Sequence, residues 1–131
     1  MKLSLIRRVL FIVIIGSFSQ ITLAQGNAAA GAAITDIANI VASINHFPSD
    51  ADKARLAAIS GDSNLPQPIR DMANAVANIS HATNDEGKAA MAQIAANDQI
   101  PDRAKSLAGI IASLNHMPSD ADKATLAQLF P

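Results

Sequence analysis

The chain contains no cysteine, tryptophan or tyrosine, and only four phenylalanines in 131 residues. Without cysteine there is no disulfide, no thiolate nucleophile or metal ligand, and no acceptor for lipid on an N-terminal cysteine. Glutamate occurs once, as Glu86, and neither a Gly-rich phosphate loop nor a His-Glu-x-x-His run is present. The common signatures of nucleotide chemistry and zinc-dependent hydrolysis are therefore missing. Scarce aromatics leave little to wall a haem pocket. Ser, His and Asp do occur together in SINHFPSD, but Ser43, Ser49 and Asp50 fall at helix and cap positions, whereas a nucleophile, base and orienting acid must converge in space. No catalytic residue and no cofactor is assigned, and the chain reads as a non-enzyme.

A long apolar run is also lacking beyond the first two dozen residues. Those begin with Lys2, Arg7 and Arg8, continue as VLFIVIIG from Val9 to Gly16, and reach Thr22 and Ala24 through polar Ser17, Ser19 and Gln20. Basic head, short apolar middle and small-residue end are the order of a secretory signal, with cleavage expected between Ala24 and Gln25. The apolar middle is short of the roughly 20 residues that a spanning helix needs. The expectation is an exported protein, periplasmic or extracellular, with no stable membrane span after cleavage. Removal of residues 1 to 24 leaves seven Lys and Arg against eleven Asp and Glu. A net charge of minus four without a basic stripe excludes nucleic acid as a natural partner.

What the remaining 107 or so residues do contain is alanine, about a quarter of them, and a repeated phrase. INHFPSDADK (Ile44 to Lys53) returns as LNHMPSDADK (Leu114 to Lys123), and midway between them stands ISHATNDEGK (Ile79 to Lys88). His46, His81 and His116 are spaced by 35, followed in step by Asp50, Asp85 and Asp120 and by Lys53, Lys88 and Lys123. Pro66 and Pro101 keep the same register. A period between about 20 and 50 residues marks a repeat architecture.

Each unit divides into two helices. Helix A opens near Gln67 or Asp102 and carries Met72, Val76 and Ile79, or Leu107, Ile111 and Leu114, with Ile37, Val41 and Ile44 equivalent in the first unit. That spacing by three and four is one helical face. Its first copy follows the lead-in QGNAAAGAA, which should fray at its start. Helix B begins inside the phrase: the residue before Pro48 or Pro118 is biased away from helix, Ser49 or Ser119 is an N-cap, and Asp52 or Asp122 stands where a capping box puts its acid. Asp50, Asp85 and Asp120 add negative charge at the positive end of the helix. Helix B presents Leu56 and Ile59, Met91 and Ile94, and Leu126 and Leu129 to the core. In the middle unit Ala82 and Thr83 replace Phe47-Pro48, and Gly87 replaces the capping acid, so this turn is expected to be the loosest.

The fold class is thus all-α: three tandem 35-residue hairpins covering approximately 28–61, 67–97 and 102–131, as a short α-solenoid or a compact helical bundle. In length and hairpin plan the unit resembles tetratricopeptide and related helical repeats of about 34 residues, mostly protein-binding scaffolds. The Trp, Leu-Gly and Tyr pattern of that repeat is absent from helix A.

Two sets of residues are candidates for function. In the structural reading, each His complements the negative end of helix A and can bond its last carbonyls, and each Lys faces solvent or pairs with a nearby carboxylate. In the functional reading, His46, His81 and His116 bind a metal, which requires convergence, whereas equivalent residues in a straight stack of helices lie about 8 to 10 Å apart. Phe47 and Met117 share one repeat position; they either cap the hairpin core or stand outward in a row that suits a protein or peptide partner. Leu129 to Pro131 close the last unit with no helix after them, so the C-terminal repeat is a candidate homo-oligomer face. The functional expectation is an exported, non-catalytic binding or assembly module, with metal sequestration by the histidines as the alternative.

Overall fold

The structure, a computed structural model, describes residues 28–131. The leader, its cleavage site and the first residues of the lead-in lie outside the described residues. Six helices are described: α1 over 28–43, α2 Asp50–Gly61, α3 Gln67–Ala77, α4 Asp85–Ala95, α5 Asp102–Ser113 and α6 Asp120–Leu129. Helices α1, α3 and α5 are the three A helices, and α2, α4 and α6 the three B helices.

The B-helix starts follow the local chemistry of the sequence. Ser49, Asn84 and Ser119 are in extended conformation, and each side chain accepts the backbone N–H three residues on, from Asp52, Gly87 and Asp122. A full capping box, with Asp122 also accepting from the Ser119 backbone N–H, forms only at α6. Helices α3 and α5 begin after Pro66 and Pro101, which lack a side-chain cap; proline at this boundary already holds the φ that the first turn needs.

Burial separates the two kinds of helix. The A helices form the interior: Ile37, Val41, Met72, Val76, Leu107 and Ile111 are completely buried, with Ile44, Ile79 and Leu114 closing the layer beyond them. The B helices lie outside and bury a single narrow stripe, Leu56 and Ile59, Met91 and Ile94, and Leu126. Among alanine-rich helices the few large side chains meet in one contiguous cluster, and that continuity is what a chain without disulfides relies on.

The units close on one another instead of stacking in a line. Helix α2 packs on α3 and α4 packs on α5. The same relation is completed across the termini, where Leu126, Ala127 and Phe130 of the last unit stand across a shallow crevice from Ala38, Asn39 and Ala42 of α1. The backbone gives the most direct sign of closure. The His46 N–H donates to the His116 carbonyl, the His81 N–H to the His46 carbonyl, and the His116 N–H to the His81 carbonyl. Three bonds from three units form a cycle that an open stack cannot make. The architecture is a compact bundle with pseudo-threefold symmetry about an axis through this cycle.

Closure corrects two expectations. Phe130 is 5% exposed and Leu129 half-buried, so the C-terminal end is not left uncovered as expected, although Pro131 at its tip is open to solvent. The middle turn is not the loosest. Thr83 is 2% exposed and its hydroxyl donates to the Ile111 carbonyl of the next unit.

Candidate functional site

The A helices run parallel, so their C-terminal ends come together at one end of the bundle and their N-terminal ends at the other. Helices α1 and α5 end three residues before their histidines and α3 four before His81, with Asn78 as its C-cap. The residue two places before each histidine, Ile44, Ile79 or Leu114, is buried and anchors the turn. The chain then reverses sharply at the histidine, in left-handed conformation at all three positions: φ is 68° at His46, 71° at His81 and 66° at His116. This geometry directs both backbone groups of each histidine into the cycle and satisfies them there. Short bridges flank each turn, from Asn45 to Phe47, Ser80 to Ala82 and Asn115 to Met117, and a further bridge joins Ala82 to Asn115 between units.

The side chains converge with the backbone. Ring centres are 5.4 Å apart for His46 and His81, 5.1 Å for His46 and His116, and 5.4 Å for His81 and His116, each pair edge to face. The ladder of 8 to 10 Å expected of a straight stack is therefore replaced by a near-equilateral triangle, because the stack curves through a full turn in three units. His46 is half-buried, and His81 and His116 are exposed.

The expected bonding of the rings to helix carbonyls is also corrected. Nδ1 of His46 stands 2.6 Å from Oδ1 of Asn45, and Nδ1 of His116 stands 2.6 Å from Oδ1 of Asn115. With the amide oxygens turned to the rings, the matching tautomer has Nδ1 as donor and leaves the lone pair on Nε2 when the ring is neutral. Sequence reasoning passed over these asparagines, although the Asn-His dipeptide recurs in both outer units; the middle unit has Ser80 in that place, and among the described residues the His81 ring has no corresponding bond. Among the described residues, no group of three or more His, Asp or Glu side chains stands arranged to hold a metal ion with the rings as they are.

Phe47 is 56% exposed and Met117 is 47% exposed, so these two take the outward alternative. Their middle-unit counterpart is the much smaller Ala82. The Lys53 ammonium lies 5.8 Å from the centre of the Phe47 ring, within cation–π range. Lys53, Lys88 and Lys123 are exposed, as expected. The end face therefore carries three imidazoles at its centre, with two large apolar side chains on the same turns.

Comparison of the chain with protein-family models, with curated proteins and with solved structures finds no match. Among the described residues no helix is long and apolar enough to cross a membrane.

The opposite end has a different character. There the starts of α1, α3 and α5 stand apart around an open, mainly apolar cavity of about 610 Å³, lined by Ile34, Ile69, Met72, Ile100, Pro101 and other residues, with Arg103 and Gln99 among its polar ones. The prolines in register at 66 and 101 both contribute to its wall, but nothing in their spacing signalled a cavity.

Proposed function

We propose that the protein is an exported, non-catalytic binding module, and that the histidine-centred end is the face with which it takes a protein or peptide partner. The observation that carries this reading is the exposure of Phe47 and Met117, each fixed on a turn that the backbone cycle holds in place. Large apolar side chains on a rigid support lose little conformational freedom on binding, which is what anchor residues of an interface require. The leader-like N-terminus supports export, and the absence of a basic stripe agrees with a protein partner over a nucleic acid.

The test is recovery of the protein from its native compartment with its bound partner, followed by Phe47→Ala and Met117→Ala. Both variants should lower partner recovery at least tenfold and change the melting temperature by no more than about 2 °C, since exposed side chains add little to stability. Undiminished recovery together with a large drop in melting temperature would assign both residues to packing and remove the reading.

A further inference from the structure

A position that needs positive φ is filled at least cost by glycine or asparagine, because other side chains crowd the carbonyl that follows. All three such positions here hold histidine. Backbone strain of this kind concentrates at ligand-holding sites, and here it is repeated three times around one axis. The rings it presents are close enough to act together.

The spacing of those rings has a chemical meaning. With metal–nitrogen distances of about 2.0–2.1 Å and the ring centre about 1.1 Å behind the nitrogen, three imidazoles at tetrahedral angles on one ion have centres about 5.2 Å apart. The observed centres are 5.1 to 5.4 Å apart. Asn45 and Asn115 hold the Nδ1 protons of two of the rings, the role that an outer-shell carbonyl has toward a metal-binding histidine. The negative ends of three parallel helices also point toward this face and favour a cation, while Asp50, Asp85 and Asp120 offset the positive ends of the B helices. We propose that His46, His81 and His116 bind one divalent transition-metal ion, of the Zn²⁺ or Ni²⁺ class, through Nε2 on the pseudo-threefold axis.

Because the rings as they stand are not arranged to hold an ion, binding requires a turn about Cβ–Cγ, which leaves each ring centre nearly in place and which the Asn45 and Asn115 side chains must follow to keep their bonds to Nδ1. His81, exposed and without an asparagine before it, is the least constrained to make that turn. Three protein ligands leave a fourth position for water or for a group from outside. The site is independent of the docking role of Phe47 and Met117 and stands or falls separately from it.

The experiment is titration of the purified, chelator-treated protein with Zn²⁺ and separately with Ni²⁺, followed by calorimetry and thermal melting. One ion per chain should bind saturably and raise the melting temperature, because a ligand of the folded state stabilises it. His81→Gly should weaken Zn²⁺ binding at least tenfold without lowering the melting temperature of the metal-free protein, since glycine relieves the left-handed position. Asn115→Ala should weaken binding about tenfold or more. Absence of saturable binding by both ions, or binding unchanged in His81→Gly, would overturn the proposal. The unmutated protein supplies a readout that needs no variant to fold: the imidazole NMR signals of all three histidines should shift together and reach their end point at one equivalent of Zn²⁺. Movement of only one or two of them would also overturn it.

Discussion

The middle turn and the two outer turns do the same structural job with different chemistry. In the outer units Pro48 and Pro118 occupy the position facing the core, and a serine–aspartate pair starts helix B. In the middle unit Thr83 fills the buried position of the prolines and replaces their rigidity with a hydroxyl bond to the Ile111 carbonyl. Gly87 takes the place of aspartate, and a Cβ there would lie 2.8 Å from Thr83 Cγ2, 3.1 Å from Asn84 Oδ1 and 3.3 Å from Ala75 Cβ. Its repeat counterparts on helix A are also larger elsewhere: Ile40 and Ile110 where the middle unit has Ala75. Small residues on both partners let α4 press against α3 far more closely than α6 lies against α5. Residues that weaken a turn by propensity can therefore tighten it by shape.

The comparison is broken most severely at Gly87. Gly87→Val should destabilise the protein by about 2–3 kcal/mol, the scale of overpacking in a filled site, and denaturant unfolding would measure it. Thr83→Val keeps the shape and removes only the hydroxyl bond, so a loss of about 1–1.5 kcal/mol is expected from the same experiment. A neutral result would mean that shape alone fills the proline position. At the outer turns Asp122→Ala should cost about 1 kcal/mol and Asp52→Ala somewhat less, because the reciprocal bond from the Ser119 backbone N–H to the Asp122 carboxylate belongs to α6. Equal losses at the two aspartates would show that this second bond adds nothing.

Much of this fold was legible because it is decided locally. The 35-residue period, the spacing of Met72, Val76 and Ile79, and the serine and asparagine caps each depend on residues within a turn or two of one another, and they appear where the sequence places them. Closure is of another kind. It depends on how far each hairpin rotates against the last, a third of a turn per unit that closes only when summed over all three. A linear pattern carries no such angle, so the histidines read as a ladder. Their left-handed backbone was hidden for a related reason: neither glycine nor asparagine marks it. Asn45 and Asn115 were in view in the repeated Asn-His pair, but their role exists only once the rings are oriented. Phe47 and Met117 could point either way by sequence, and the geometry of the turn decided it.

Closure of the three units around the histidine cycle is what places every feature of this face. Amide hydrogen exchange of His46, His81 and His116 tests it most directly, because the His46 N–H donates to the His116 carbonyl and joins the first unit to the last. A closed ring predicts that the His46 amide is protected to the same degree as those of His81 and His116. An unprotected His46 amide beside two protected ones would show that the ring is open at that joint and contradict the account.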